Sequence, residues 1–232
     1  MKTLVIIPTY NERENIQKIV PAILRENPQV EVLVVDDNSP DQTGAEVRKL
    51  QETYQNQVHL LSRDGKEGLG KAYLAGFKWA LSRDYDVIVE MDADFSHRPL
   101  DLTIMLQKIT TSDFVVGSRY VHGGSTVNWG ILRKLISRGG GLYSRIILGY
   151  PLQDWTGGFN AWKKAVLEKI GLDSITSNGY SFQIELKYKA LRNGFRGVES
   201  PITFEDRRVG QSKMSLKIVL EAFYKVWQIR FG

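Results

Sequence analysis

The chain has 232 residues, 42% of them hydrophobic, and a formal net charge of +5. This composition is typical of a globular protein of one or two domains, and the absence of cysteine excludes disulfides and thiolate metal sites and agrees with a reducing compartment. No apolar run approaches the roughly 20 residues of a membrane-spanning helix, so we expect any membrane contact to be peripheral.

Apolar strands alternate with amphipathic helices over the first half of the chain. The patterns predict strands at Leu4–Ile7, Val30–Val35, Val58–Leu61, Asp86–Met91 and Phe114–Gly117, and helices at Glu14–Glu26, Thr43–Tyr54, Gly70–Leu81 and Leu100–Ile109. Such alternation predicts an α/β fold with a mostly parallel sheet flanked by helices. In these sheets ligands bind beyond the carboxyl ends of the strands.

The second half of the chain has a different pattern. A basic amphipathic segment covers residues 128–148 and is interrupted by Gly139-Gly140-Gly141; helices are predicted at Lys163–Ile170, Ser181–Asn193 and about 214–231, and a strand at Gly197–Phe204. We expect the last helix to pack on the core, with contact to a partner or a bilayer as the alternative. Because no linker is evident, one domain over residues 1–232 is the simplest organisation.

Two acidic residues one position apart follow the strand that contains Val87-Ile88-Val89. Asp92 and Asp94 in Glu90-Met91-Asp92-Ala93-Asp94-Phe95-Ser96-His97 point to the same side of an extended chain. Two such carboxylates repel each other unless a cation lies between them. Oxygen ligands suit Mg²⁺, which takes one or two carboxylates plus substrate phosphates, although a chance acidic turn would give the same triplet.

Two other segments suggest phosphate contacts. Residues 65–71 have the G-x-x-x-x-G-K spacing of a phosphate loop, but Ala72 stands where a P-loop needs a hydroxyl for Mg²⁺. The segment Arg207-Arg208-Val209-Gly210-Gln211-Ser212-Lys213 suits a loop that closes on a diphosphate, because Arg binds phosphate in a bidentate manner and Lys as a point charge. An exposed charged loop is the alternative.

The positive charge is localised. Between Phe114 and Gln153 there is no acidic residue, and this stretch contains five cations, Arg119, Arg133, Lys134, Arg138 and Arg145. A localised basic patch indicates an anionic partner, which leaves nucleic acid, phospholipid and phosphorylated small molecules open beside a plain solvated face. Within it, Trp129, Leu132, Leu135 and Ile136 suit either a membrane interface or the core.

Taken together, these motifs resemble the family 2 glycosyltransferases of the GT-A fold, and within them the polyprenol-phosphate (dolichol-phosphate) mannosyltransferases. The matching segments are VIIPTYNERENI (5–16), VVDDNSPDQT (34–43), GKEGLGKAY (65–73), MDADFSH (91–97), VVGSRYV (115–121), NWGILRKLIS (128–137), TGGFNAW (156–162), GYSFQIE (179–185) and RRVGQSK (207–213). The resemblance implies a Rossmann-like nucleotide-diphospho-sugar transferase fold with amphipathic C-terminal helices and no transmembrane span.

The resemblance also implies an activity and its partners. The expected reaction transfers mannose with inversion from GDP-mannose to a polyprenyl phosphate, with Mg²⁺ or Mn²⁺ as cofactor and without nucleic acid. We expect the protein to lie on the cytoplasmic face of a membrane, through peripheral contact or a membrane-anchored partner subunit. The alternatives are a sister enzyme that transfers glucose or N-acetylglucosamine from a UDP-sugar, and a non-catalytic nucleotide-sugar-binding subunit.

The resemblance assigns roles to particular residues. It implies nucleotide-sugar binding by Pro8, Tyr10, Glu12, Val35, Asp37, Asp92, Ala93, Asp94, Arg119, Arg207 and Lys213, acceptor-phosphate binding by Arg119, Arg133 and Ser137, and metal ligation by Asp94, Asp92 and Ser96, with Asp94 and Arg119 as catalytic residues. Ser96 stands where relatives often carry Gln. Asn160 follows the Gly-Phe pair, where relatives often carry another residue, and receives no role.

The acceptor determines whether a general base is needed. A sugar hydroxyl would require one, and Asp154 is the candidate. A phosphate monoester, with its second pKa of about 6, is already largely dianionic at neutral pH. We therefore predict that cations around the acceptor, rather than a base, prepare the nucleophile.

Overall fold

A computed structural model describes residues 1–206 and 216–232, with the side chains of residues 216–222 left outside that description. The strands are β1 (Thr3–Thr9), β2 (Val30–Asp36), β3 (Val58–Ser62), β4 (Val87–Glu90), β5 (Phe114–Ser118), β6 (Ser125–Val127), β7 (Asn160–Lys163), β8 (Gly197–Pro201) and β9 (Thr203–Glu205). The helices are α1 (Arg13–Glu26), α2 (Thr43–Thr53), α3 (Leu69–Leu81), α4 (Pro99–Lys108), α5 (Ile131–Leu148), α6 (Lys164–Lys169), α7 (Tyr180–Arg192) and α8 (Leu216–Phe231).

Seven strands form one sheet in the order β3-β2-β1-β4-β7-β5-β8. Within it, β7 runs antiparallel to both of its neighbours, and the other adjacent pairs are parallel. The separate parallel pair β6-β9 lies next along the chain to β5 and β8. The predicted α/β class with a mostly parallel sheet is confirmed.

Alternating side chains on the strands supply two hydrophobic cores, one on each face of the sheet. On β1, Leu4 and Ile6 belong to one core, and Val5 and Ile7 to the other. Helices α1 and α4 cover the second core, while α3, α6 and α7 cover the first. Burial on both faces explains the nearly continuous apolar runs of these strands, which made them predictable.

Three predictions in the second half of the chain need correction. The glycines at 139–141 do not interrupt the basic segment, because α5 continues through them; a Cβ on Gly141 would lie 2.8 Å from the Gln153 carbonyl oxygen, so this helix face needs a residue without a side chain. Strands β6 and β7 were not predicted. The strand predicted at Gly197–Phe204 is two strands separated at Ile202.

Helices α5 and α8 carry exposed apolar side chains. On α5 these are Ile131, Leu132, Leu135, Leu142 and Ile146, and on the described part of α8 they are Phe223, Tyr224, Trp227 and Phe231. Trp129 is buried, whereas Val226 is the buried core residue among the described side chains of α8. The expected packing of α8 on the core is therefore wrong for its aromatic residues Phe223, Tyr224, Trp227 and Phe231. On α5, the prediction that Leu132 and Leu135 belong to the core is also wrong.

The two exposed faces are neighbours. The ring centroids of Tyr143 on α5 and Phe223 on α8 are 4.1 Å apart, and the Tyr143 hydroxyl donates to the Phe223 carbonyl oxygen at 3.1 Å. Within the described residues, no helix is both long enough and apolar enough to cross a membrane.

Candidate active site

The predicted nucleotide-binding residues lie at the carboxyl ends of β1 and β2. Pro8 is the register partner of Val35 in the parallel pair. Tyr10 follows β1 and is about one-third exposed, and the Lys66 ammonium lies 4.2 Å from the centre of its ring. The structure thus adds Lys66, from the glycine-containing loop 63–68, to this end of the sheet.

Two acidic residues of this group are bound within the protein. Arg63 Nη1 donates to Asp37 Oδ1 at 2.6 Å, and Asn15 Nδ2 donates to Glu12 Oε2 at 2.6 Å. Burial raises the pKa of Asp37, and the Arg63 guanidinium opposes that rise. Arg63 was not predicted, because nothing in the sequence pairs it with a carboxylate 26 positions away.

The predicted metal ligands lie in the loop that follows β4. Ser96 N–H donates to Asp94 Oδ1 at 3.0 Å, and Phe95 between them has φ of 62°. A left-handed conformation is uncommon outside glycine, and it turns the loop so that the Ser96 amide meets the Asp94 carboxylate. The Asp94 orientation is therefore set by the backbone of the loop, and buried Ala93 anchors the loop on the core.

The buried side chain of His97 also fixes this loop. The Asp92 N–H donates to His97 Nδ1 at 3.1 Å, and the imidazole stacks on Phe159 with ring centroids 4.8 Å apart. Burial lowers the pKa of His97, which favours the neutral ring that this acceptor role requires. The Tyr73 hydroxyl approaches Asp92 Oδ1 at 3.5 Å. Sequence reasoning assigned no role to His97.

The donor set of this loop fits a divalent cation that is completed by a substrate. Asp92 and Asp94 supply two carboxylates, and within the described chain there is no cluster of three or more acidic, His or Cys side chains that would close a metal site by itself. Such an incomplete oxygen site is what Mg²⁺ uses when phosphates and water supply the other ligands. Ser96 Oγ is buried without a hydrogen-bond partner among the described atoms, so it has unused lone pairs.

Arg119 follows β5 and is fixed by Asp154. Asp154 Oδ2 accepts from Arg119 Nε at 2.7 Å and from its backbone N–H at 3.0 Å, while Oδ1 accepts from Arg119 Nη2 at 2.6 Å and from the Gly157 N–H at 3.0 Å. Arg119 Nη2 also donates to Thr156 Oγ1 at 2.9 Å. Asp154 is fully buried and Arg119 is 6% exposed, so this is a buried bidentate ion pair.

The ion pair changes the interpretation of Asp154. Burial is the largest influence and opposes ionisation of the carboxyl, but the Arg119 guanidinium and backbone N–H, together with the Lys187 ammonium, lower the pKa of Asp154 overall. Both carboxylate oxygens accept two hydrogen bonds, which leaves no acceptor site for a substrate hydroxyl. The geometry makes Asp154 the residue that orients Arg119 rather than a general base.

The predicted acceptor residues converge on one indole. The Arg133 guanidinium lies 4.0 Å from the Trp129 ring centre and the Arg119 guanidinium lies 5.3 Å from it. Arg133 Nη1 also donates to Asp206 Oδ2 at 2.6 Å. Two cations thus lie against one aromatic ring, an arrangement that stabilises each of them and gathers positive charge beyond the end of β5.

Ser137 joins this cluster through Tyr120. The Tyr120 hydroxyl donates to Ser137 Oγ at 2.5 Å, and the Arg119 guanidinium lies 5.3 Å from the Tyr120 ring centre. We call Arg119, Trp129, Arg133, Ser137 and Tyr120 the basic cluster. Sequence reasoning identified its three polar members but missed the two aromatic residues that connect them.

We call residues 91–97, the loop after β4 that contains Asp92 and Asp94, the acidic loop. Phe204 on β9 connects the acidic loop with the basic cluster. Its ring meets His97 edge-on at 5.5 Å and Trp129 edge-on at 5.4 Å, and the Arg119 guanidinium lies 5.6 Å from its centre. The two charged groups are therefore neighbours across one aromatic ring. Arg207 and Lys213, the remaining predicted donor ligands, lie outside the described residues.

Comparison with known proteins agrees with this architecture. The sequence profile described as Glycosyl transferase family 2 matches residues 4–171. A polyprenol monophosphomannose synthase from Mycolicibacterium smegmatis is 50% identical over 232 residues, which cover 99% of this chain and 88% of the relative.

Two solved structures show the same fold at low identity. A glucosyl-3-phosphoglycerate synthase from Mycobacterium tuberculosis, in complex with Mn²⁺, UDP and phosphoglyceric acid, superposes with a TM-score of 0.72 at 16% identity, covering 99% of this chain and 78% of that one. A mannosyltransferase from Pyrobaculum calidifontis, in complex with GDP-Man and Mn²⁺, has a TM-score of 0.61 at 18% identity, covering 99% and 72%.

The mostly parallel sheet with an acidic loop at its carboxyl edge is the GT-A fold of glycosyltransferases. The chain belongs to glycosyl transferase family 2. The resemblance drawn from the motifs is thereby confirmed, and the chain is a glycosyltransferase.

Replacing Asp154 by Asn tests its orienting role. We expect Asp154→Asn to lower the free energy of unfolding by about 3–5 kcal/mol, because it leaves a buried guanidinium without its counter-charge. Since the pKa of Asp154 is lowered in the folded state, its contribution is present above its unfolded pKa of about 3.9 and is lost as the pH falls through the folded value. Chemical denaturation between pH 3 and 7 measures both effects, and an unchanged stability at pH 7 would contradict the role.

Proposed function

We propose that the protein transfers mannose, with inversion, from GDP-mannose to the phosphate of a polyprenyl phosphate, giving polyprenyl phosphate mannose and GDP. The observation that carries the proposal is the pairing of two oppositely charged groups across Phe204, one acidic and one basic. The acidic loop suits a metal–diphosphate, and the basic cluster suits a second anion. The 50% identical relative from M. smegmatis, named as a polyprenol monophosphomannose synthase, supports the donor sugar and the acceptor class.

In this proposal the donor lies along the ends of β1, β2 and β4. Pro8, Tyr10, Glu12, Val35 and Asp37 hold the nucleoside, while Asp92, Ala93 and Asp94 face the ribose and the diphosphate. Asp94, Asp92 and Ser96 hold Mg²⁺ or Mn²⁺, which when bound stabilises the charge that develops on the leaving diphosphate. Arg207 and Lys213 are assigned to the same diphosphate from the sequence.

The acceptor phosphate is assigned to Arg119, Arg133 and Ser137. Its oxygen attacks the anomeric carbon of the sugar directly, the bond from that carbon to the diphosphate breaks, and the pair of electrons leaves with GDP. A phosphate monoester with a second pKa of about 6 needs no base at neutral pH. The difficulty is to bring a dianion close to an anionic donor, and two preoriented guanidinium groups reduce that repulsion.

The exposed faces of α5 and α8 are assigned to the surface of a membrane. Ile131, Leu135, Leu142 and Ile146 are exposed and fall along one side of α5, with the exposed cations Arg138 and Arg145 next to them. An amphipathic helix with a basic flank binds in the interface plane of anionic membranes. We place the protein on the cytoplasmic face, where its lipid substrate would present its phosphate to the basic cluster.

A UDP-sugar donor is the second candidate. One structural neighbour was solved with UDP and another with GDP-Man, so the shared fold does not discriminate between the two bases.

A donor screen tests the proposed reaction. Purified protein is incubated with a short polyprenyl phosphate and GDP-mannose, UDP-glucose or UDP-N-acetylglucosamine, with Mg²⁺, Mn²⁺ or EDTA. We expect glycolipid and GDP only from GDP-mannose, and a loss of at least about 100-fold in rate with EDTA, because the metal offsets leaving-group charge. Turnover with UDP-glucose alone would contradict the proposed donor.

A flotation assay tests membrane contact. We expect Leu142→Ser/Ile146→Ser on α5 to weaken binding to anionic vesicles by about 10-fold or more, since two buried apolar side chains are worth roughly 1.5–3 kcal/mol each. The matched control is Leu100→Ser/Ile104→Ser, which removes two exposed apolar side chains of the same type and spacing from α4. Equal binding by both double variants would contradict the assignment of α5.

A further inference from the structure

A carboxylate that the proposed chemistry does not use lies directly behind the acidic loop. Glu90 is the last residue of β4, two positions before Asp92, and its side chain is fully buried. Its Oε2 accepts from Asn160 Nδ2 at 2.8 Å and from Trp162 Nε1 at 3.0 Å, and its Oε1 accepts from Gln183 Nε2 at 2.8 Å. Burying a charge is costly even when it is paired, so stability alone is a poor reason for an acid here.

Asn160 is the centre of this arrangement. Its Nδ2 donates to Glu90 Oε2, to Gln183 Oε1 at 2.8 Å and to the Gly157 carbonyl oxygen at 3.2 Å. Three acceptors around one nitrogen fix the orientation of the amide. Its Oδ1 is buried and has no hydrogen-bond partner within residues 1–206 and the described part of α8, and such an unpaired buried group costs about 1–3 kcal/mol. The hydrogen bonds that Nδ2 donates therefore determine the orientation of Asn160.

The Gly157 peptide carries the connection to the basic cluster. Its carbonyl oxygen accepts from Asn160 and from Lys187 Nζ at 2.7 Å, and its N–H donates to Asp154 Oδ1 at 3.0 Å. Asp154 in turn holds Arg119. Buried hydrogen bonds on both sides of Gly157 thus connect the base of the acidic loop, through the Gly157 backbone, to the guanidinium proposed to bind the acceptor.

We propose that Glu90, Asn160 and Gln183 are positioning residues that keep the acidic loop and Arg119 at the separation that transfer requires. This inference rests on the proposed function for the two ends of the network. None of the three side chains is exposed to a substrate, so they act through Asp92 and Arg119. A shift of about 1 Å between two reacting groups is sufficient to reduce a rate by about 100-fold.

The hydrogen-bond pattern suggests substitutions that disturb this network selectively. In Glu90→Gln, the new NH₂ group must face either Gln183 Nε2 or the Asn160 and Trp162 donors. Rotating the Gln183 amide moves the conflict to Asn160, and rotating the Asn160 amide as well places its oxygen against the oxygens of residue 90 and Gly157. Every arrangement therefore contains two donors or two acceptors in contact. In the exchange Glu90→Gln/Gln183→Glu, each donor meets an oxygen again. The charge moves only to α7, one helical turn from Lys187, where i and i+4 side chains are neighbours.

Steady-state kinetics of these variants test the proposal. We expect Glu90→Gln to lower kcat by at least about 10-fold while the KM values for donor and acceptor change by less than about 3-fold, because the network acts on geometry and not on binding. The exchange variant is expected to recover kcat to within about 3-fold of the wild type. A kcat of Glu90→Gln within about 2-fold of the wild type, or no recovery in a folded exchange variant, would overturn the proposal.

The control is Glu31→Gln. Glu31 also accepts from two side-chain donors, Tyr85 Oη at 2.5 Å and His59 Nε2 at 2.7 Å, but it lies at the amino ends of the strands, on the side away from the acidic loop. We expect this variant to lower Tm without changing kcat. If Glu90→Gln does not fold, Gln183→Met replaces it, with the same expected kcat loss and the same overturning result.

A second readout separates this proposal from the proposed function. The rise in Tm that GDP or UDP with Mn²⁺ produces requires no turnover, and we expect it to be the same in the wild type, in Glu90→Gln and in the exchange variant, because the network acts on geometry and not on binding. A wild-type protein that binds nucleotide but transfers no mannose would contradict the proposed function alone. Loss of this rise in Glu90→Gln would contradict the positioning role alone.

Discussion

The buried ion pair between Arg119 and Asp154 is the interaction on which the arrangement of the site depends. Its partners come from the end of β5 and from the segment before β7, and they are 35 positions apart in the sequence. Because Asp154 has four hydrogen-bond donors around its two oxygens, the guanidinium has little freedom to rotate. Arg119 can then present a fixed cation toward Trp129, Tyr120 and Phe204. Removing the carboxylate would leave both the fold and the basic cluster without this constraint.

The fixed cation also explains why the chain separates its charges. In the proposed reaction an acceptor phosphate and a donor diphosphate repel each other, and a low local dielectric constant strengthens that repulsion. Acidic residues are absent from 114–153, so the cations there are not neutralised within their own segment. His97, at the end of the acidic loop, contacts the Phe204 ring, and a metal held by that loop would meet the diphosphate. One aromatic ring thus contacts both groups, while the guanidinium groups of Arg119 and Arg133 are paired with Asp154 and Asp206.

Local sequence patterns predicted the first half of the fold because strands buried on both faces leave long apolar runs between amphipathic helices. These local patterns failed where tertiary contacts determine the secondary structure. The four-residue β7 is too short for a periodic signal and is formed by pairing with β4 and β5. The glycines of α5 remain helical because Gly141 lies against the Gln153 carbonyl oxygen. The motifs singled out Asp92, Asp94, Arg119 and Arg133 as candidate site residues. A motif does not show which distant residues contact its members. Only the fold shows that Asp154 holds Arg119 and that Glu90 lies behind the acidic loop.

The most direct test is the pH dependence of kcat/KM for two acceptors of equal chain length, a polyprenyl phosphate and the corresponding polyprenol. If the nucleophile is a phosphate dianion held by Arg119 and Arg133, kcat/KM for the phosphate rises with pH through a pKa of about 6 and is level above it, and the alcohol gives no measurable product. Comparable transfer to the alcohol, with a rate that follows the ionisation of a protein base instead, would contradict this mechanism.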